Sequence, residues 1–182
     1  MQATQLLELV RAKGYERRDE PFPLSSGGSS RDYVDLRRAV AAGPDLELAS
    51  RAVAERLEAE GIDFDAIGGM TMGADPIAHG VALVTGKAWF SVRKEAKVHG
   101  RAQRIEGAML GVGVRVVVLE DTVSTGRSLF EALDVVRRTG AEVVAGLTLL
   151  VRGDRPAQRF AELGVRFVPL LSYRDLGIDP LD

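Results

Sequence analysis

At 182 residues, 46% hydrophobic and 27% charged, with a formal net charge of −2, the chain has the length and apolar content of one folded domain, and global disorder is excluded. There is no cysteine, which excludes disulfides, thiolate metal sites and a cysteine nucleophile. With His79 and His99 as the only histidines, a histidine-rich zinc site is nearly excluded as well, and a Ser-His-Asp triad would have to use one of the two. No run approaches the roughly 18 apolar residues of a spanning helix, and MQATQLLELVRAKG lacks the apolar centre of a signal peptide, so a cytoplasmic protein is expected.

In chain order, Leu6, Leu7 and Val10 recur at helical spacing within Thr4 to Lys13, and Gly14 stops that helix. Residues 17–38 hold Pro21, Pro23, a Ser/Gly cluster and the alternating YVDLR, which predicts loop, turn and a short strand. Pro44 to Glu60 reads as a helix with Leu48, Ala52, Val53 and Leu57 on one face and Gly61 beyond its end. The pattern then alternates. A short strand at Asp65 to Ile67 ends in Gly68-Gly69, a helix runs from about Asp75 to Thr85, and a strand follows at Ala88 to Val92, with Trp89 and Phe90 expected in the core. RVVVL at Arg115 to Leu119 is a third strand, followed by a helix over Ser128 to Thr139. A long apolar strand at Glu142 to Val151, a helix at Arg155 to Leu163 and a strand at Val165 to Leu171 complete the chain. Uninterrupted Val/Leu runs indicate strands buried on both faces, and their alternation with helices predicts an α/β fold with a central parallel sheet. Ligands of such sheets bind beyond the C-terminal strand ends.

Three segments at such ends carry candidate chemistry. In VVVLEDTVSTGRS, residues 116–128, an apolar strand runs into Glu120-Asp121, then into Thr122, Val123, Ser124, Thr125, Gly126, Arg127 and Ser128 at a helix start. Small side chains let backbone N–H groups turn toward a bound anion, and the helix N-terminus adds positive potential, which suits phosphate. The two acids would repel that phosphate, and are better placed accepting hydrogen bonds from sugar hydroxyls beside it. The plainer alternative is an ordinary helix cap. Neither a Walker pattern nor a G-x-G-x-x-G turn after a first strand is present.

The second segment, SVRKEAKVHGRAQR at 91–104, sets Arg93, Lys94, Lys97, Arg101 and Arg104 against the single acid Glu95. That local net of +4 in a chain of net −2 leaves −6 on the remainder. A positive island on a negative body fits a concentrated small anion better than nucleic acid, for which interleaved aromatics and a net basic balance are lacking. The third is Gly68-Gly-Met-Thr-Met-Gly-Ala-Asp-Pro76, a glycine-rich strand-to-helix turn. His79 reads as structural. Arg152, after a buried strand, is a candidate for a ligand carboxylate or for a surface salt bridge.

Together these segments resemble the type I phosphoribosyltransferases, and in particular the orotate phosphoribosyltransferases. VVVLEDTVSTGRS resembles the family's signature for 5-phosphoribosyl 1-diphosphate (PRPP), VRKEAKVHG the orotate enzymes' catalytic loop, FPLSSGGSSRDYVDLR their N-terminal hood and GGMTMGADPIA their pyrophosphate loop. The resemblance implies a single domain over 1–182, with a helix and hood at 1–43, an α/β core at 44–171 whose central sheet is mostly parallel, and a mobile catalytic loop region at 91–107. It implies that Glu120 and Asp121 bind ribose hydroxyls, that residues 122–128 cradle the 5′-phosphate, and that Arg93, Lys94, Lys97 and His99 grip pyrophosphate and carry catalysis. Met72 and Gly73 would also meet PRPP. Ser124, Arg152, Tyr33 and Val34 would meet orotate. The chain departs from relatives that carry lysine before the hood's Ser-Gly, where it has Ser25, and in the pyrophosphate loop, where it has Met72-Gly73.

The implied reaction is displacement of pyrophosphate from PRPP by an orotate nitrogen, giving orotidine 5′-monophosphate in pyrimidine (UMP) biosynthesis. Mg²⁺ would arrive mainly on PRPP, with no dedicated protein ligands, and the enzyme would be a homodimer whose loop serves the neighbouring subunit's site, without nucleic-acid or membrane partners. Transfer to another base, or non-catalytic sensing of PRPP or a nucleotide, are the alternatives.

Overall fold

The computed structural model describes residues 2–23, 29–95 and 104–181. Helix α1 (Gln2–Leu9) continues through a wider turn at Val10–Gly14 into the hairpin β1 (Tyr15–Pro23) and β2 (Ser29–Val34). Then follow α2 (Leu36–Ala39), α3 (Gly43–Ala59), β3 (Ala66–Met70), α4 (Asp75–Thr85), β4 (Ala88–Val92), β5 (Ile105–Gly107), β6 (Arg115–Val123), α5 (Arg127–Arg137), β7 (Glu142–Val151), α6 (Arg155–Glu162), β8 (Arg166–Ser172) and α7 (Tyr173–Leu176). The second sheet has the order β5-β4-β3-β6-β7-β8 and is parallel except for the edge strand β5, which runs antiparallel to β4.

The valine run of β6 explains why no in/out alternation is visible. Val117 and Leu119 face one core, shared with Ala52, Val53 and Leu57 of α3 and Ile77, Ala78 and Val81 of α4. Val116 and Val118 face the other, shared with Leu129, Phe130, Leu133 and Val136 of α5 and Phe160 of α6. Both faces are covered, so every position from Val116 to Leu119 is apolar.

The strand order fixes where a ligand can bind. From β3 the chain winds outward through α4 to β4, whereas from β6 it winds the opposite way through β7 and β8. The carboxyl ends of β3 and β6 are neighbours, with Gly69 opposite Leu119. The crevice at such a reversal is where open α/β sheets hold ligands.

Four expectations are corrected. Residues 15–23 form a strand, not a loop. The strand is almost wholly exposed and its register slips between Arg17 and Phe22, so it carries no hydrophobic alternation, and its prolines sit where an edge or bulge tolerates them. β5 has only three residues, too few for a periodic signal. Gly68 and Gly69 belong to β3 instead of ending it. A Cβ on either would lie within 2 Å of a carbonyl oxygen, Phe90 O or Leu119 O, so only glycine permits this close approach. Trp89 is 39% exposed, its ring edge-on to His79 at 4.3 Å, while Phe90 is fully buried as expected.

Candidate active site

The apolar part of β6 carries Glu120 and Asp121 to its carboxyl end. Glu120 is 8% exposed, and its carboxyl is pushed up to about 8, first by burial and second by the charge of Asp121, with Lys94 acting in the opposite sense. Asp121 Oδ1 accepts from the N–H of Thr122 at 2.8 Å, and the main-chain oxygen of Asp121 accepts from Thr148 Oγ1 at 3.2 Å. Thr148, on β7 and fully buried, also lies 3.2 Å from Leu150 O, and so ties the acid pair to the neighbouring strand. It gives no sequence signal, being one hydroxyl in an apolar run.

Beyond the acids the chain turns through Ser124, Thr125 and Gly126 into the first turn of α5. Residues Glu120 to Leu129 line a cavity of about 520 Å³. Polar side chains, main-chain amides and the positive end of an 11-residue helix therefore share one hollow. The side chain of Val123 is buried in the core, so this residue can offer only its backbone.

A second cavity, of about 510 Å³, is lined by Arg37, Thr71, Met72, Arg93, Lys94 and Glu95. The turn after β3 connects them. Thr71 and Met72 line the basic hollow, and the next residue, Gly73, lies against both acids: a Cβ there would sit 2.6 Å from Glu120 Oε1 and 2.8 Å from Asp121 Oδ1. The turn after β3 can press on the carboxylates only because it has no side chain at that position.

The base of the 91–104 segment is pinned. Arg93 N donates to Arg104 O at 2.7 Å, Arg104 Nε donates back to Arg93 O at 2.8 Å, and Arg104 Nη2 reaches Glu131 Oε1 on α5 at 2.6 Å. Ser91 Oγ donates to Asp75 Oδ1 at 2.7 Å, fixing the start of α4 against β4. Lys97 and His99 lie outside the described residues.

Arg152 leaves the end of β7 with its N–H on Val123 O at 2.8 Å, beside the turn that holds Ser124. Its Nη2 donates to Val34 O at 3.3 Å, its guanidinium lies 5.7 Å from the ring centre of Tyr173, and its Nε is buried with no hydrogen-bond partner among the described residues. The structure thus brings Arg152 to Val34 across 118 residues of sequence. The Tyr33 ring packs instead on Phe22 at 5.6 Å, with Arg18 over it at 4.4 Å, as strand alternation turns it away from Val34. Arg37, which lines the basic cavity, and Thr148 are site-adjacent residues that the sequence reading does not single out.

An acid pair at a sheet reversal, a hydroxyl-rich anion cradle on one side and a basic hollow on the other define a phosphoribosyltransferase of type I fold. No model of a protein family matches the chain. It is 41% identical over 162 residues to the orotate phosphoribosyltransferase of Streptomyces coelicolor, covering 86% of this chain and 87% of that protein. It is similar to the crystal structure of Mycobacterium tuberculosis orotate phosphoribosyltransferase in complex with PRPP, at 34% identity and a TM-score of 0.81 over 98% of this chain and 100% of that one. Adenine phosphoribosyltransferase from Leishmania donovani, 18% identical with a TM-score of 0.69 over 93% of this chain and 80% of that one, shares the fold. The chain belongs to the orotate phosphoribosyltransferase family.

Proposed function

We propose that the chain transfers the 5-phosphoribosyl group from PRPP to orotate, giving orotidine 5′-monophosphate and pyrophosphate, a step of pyrimidine synthesis. The observation that carries this reading is the turn after β3, whose Thr71 and Met72 line the basic hollow while its Gly73 lies against both acids, so that a sugar beside the acids would have its diphosphate toward the hollow. A nitrogen of orotate attacks the anomeric carbon of PRPP as the bond to the diphosphate oxygen breaks. Positive charge develops on the ribose and negative charge on the leaving group. Glu120 and Asp121 accept hydrogen bonds from the ribose hydroxyls, and the positive charge that develops on the sugar in turn favours ionisation of Glu120, whose carboxyl is otherwise held by burial at about 8. The amides and hydroxyls of residues 122–128, with the N-terminus of α5, hold the 5′-phosphate. Arg93 and Lys94 bind the diphosphate, joined on the strength of the family resemblance by Lys97 and His99. Arg152 faces the orotate carboxylate, its Nε being buried with no partner among the described residues, with Val34 and Ser124 beside the base and Tyr33, on the strength of the family resemblance, near it.

Mg²⁺ would arrive on PRPP and would offset the negative charge of the departing diphosphate, beside Arg93 and Lys94. Among the described residues, no group of three or more acids or histidines gathers that could hold it alone. The working form is a homodimer in which the 91–107 loop acts on the neighbouring subunit's site and excludes water from it. Among the described residues no helix is long and apolar enough to cross a membrane.

The test follows orotate absorbance in the presence of PRPP and Mg²⁺, with uracil and hypoxanthine as competing bases. Orotate consumption alone is expected. Faster turnover of either other base would reassign the acceptor, and no turnover with any of the three would end the reading.

A further inference from the structure

We infer that Arg37 is a third cationic contact for the diphosphate of PRPP, supplied to the basic hollow by the segment that follows the hairpin. The inference rests on the phosphoribosyl-transfer reading and extends it to Arg37, the last residue of the hood segment FPLSSGGSSRDYVDLR. Arg37 lines the same cavity as Arg93, Lys94, Thr71 and Met72, so three cations and one acid, Glu95, surround a hollow of about 510 Å³. This excess of positive charge calls for an anion carrying more than one negative charge, and a guanidinium offers two parallel N–H donors to phosphate oxygens.

The short helix that carries Arg37 is held firmly. Leu36 and Ala39 are buried, Asp35 N donates to Gly14 O at 2.9 Å, and Asp35 Oδ1 caps the helix by accepting from Arg38 N at 3.2 Å. The Asp35 carboxylate is thus engaged with the backbone, and Arg37 Nε lies 3.9 Å from it, at the outer limit of an ion pair, with 58% of the Arg37 side chain exposed. A pair so open to water contributes little and does not hold the guanidinium out of the cavity. Arg38, its neighbour, pairs instead with Glu16 at 3.8 Å and does not line the hollow.

The test is calorimetric binding of Mg-pyrophosphate and of PRPP to the purified protein and to R37A, R37K and R38A, with the KM for orotate measured alongside. Loss of a charged hydrogen-bonding contact predicts binding of both ligands weakened about 10- to 100-fold in R37A. R37K should recover part of it, while R38A and the orotate KM stay at the wild-type level. Pyrophosphate binding by R37A within about twofold of wild type overturns the assignment, as does an equal loss in R38A or a loss confined to orotate. R37K, which keeps the charge and the helical propensity, gives the same reading if R37A does not fold: full wild-type affinity there removes the bidentate contact. Failure of the wild-type protein to bind PRPP would sink phosphoribosyl transfer itself, whereas wild-type binding with an unaffected R37A sinks only this role.

Discussion

Glu120 combines two demands that pull in opposite directions. Its place at the sheet reversal requires burial, and burial beside Asp121 holds its carboxyl at about 8 instead of the ordinary 4.5. A carboxyl raised in the folded state costs nothing while both states are protonated, below about pH 4.5, and costs progressively more as pH rises toward 8, where the folded chain must also ionise. Glu120→Gln removes that cost. The melting temperature of the variant should exceed that of the wild type by a margin that widens between about pH 5 and about pH 9, reaching at least ~3 °C. A margin independent of pH would mean that Glu120 ionises without penalty. Lys97 is proposed to act on the leaving group, where charge appears only as the bond breaks. Lys97→Ala should therefore lower turnover by roughly 10²–10³ while PRPP binding weakens far less. Equal losses in kcat and in PRPP affinity would place Lys97 in ground-state binding instead.

Helix α6 shows how the secondary-structure elements, once formed, are locked. Phe160 is fully buried, stacked on Phe167 at 4.9 Å and tilted against Phe130 at 4.8 Å, joining α6 to β8 and α5. Beneath it lies Gly146 of β7, where a Cβ would sit 2.2 Å from the ring, so ring and missing side chain fit as a pair. Phe160→Ala leaves a cavity over that glycine and should cost about 3–5 kcal/mol, read from denaturant midpoints at constant slope. A loss under ~1 kcal/mol would show that α6 collapses onto the sheet without the ring. The same α5 that Phe130 anchors also receives Arg104 through Glu131, so the helix that presents its N-terminus to the 5′-phosphate cradle also braces the base of the basic segment.

For the assembled enzyme, the proposal that each loop serves its neighbour has a consequence that no single chain could show. Subunits carrying Lys97→Ala keep an intact acid pair, and subunits carrying Asp121→Asn keep an intact loop. Mixed heterodimers hold one site with both, so mixing two nearly inactive variants should restore up to about a half of wild-type activity per heterodimer, or about a quarter in an equal random mixture, under the loop-in-trans arrangement. Heterodimers demonstrated by mass that remain inactive would show that each loop serves its own site.

The alternation of strands and helices from Gly43 to Leu171, apart from β5, the double-sided burial of β6 and the acid pair followed by hydroxyls are all legible in the sequence, because each is local. Covering a strand on both faces writes an unbroken apolar run, and a phosphate cradle writes small polar residues between strand and helix. Other features depend on approach between distant segments, which no local pattern encodes. That Gly73 rests on Glu120 and Asp121, that Arg152 meets Val34, that Thr148 holds Asp121, and that Arg37 faces Arg93 and Lys94 follow from strand order and close packing. The hairpin strand Tyr15–Pro23 escaped for a related reason: exposed on both sides, it is defined by its backbone pairing and not by its side chains. Residue type thus set which chemistry is available, while the reversal between β3 and β6 set which groups can act on one molecule together.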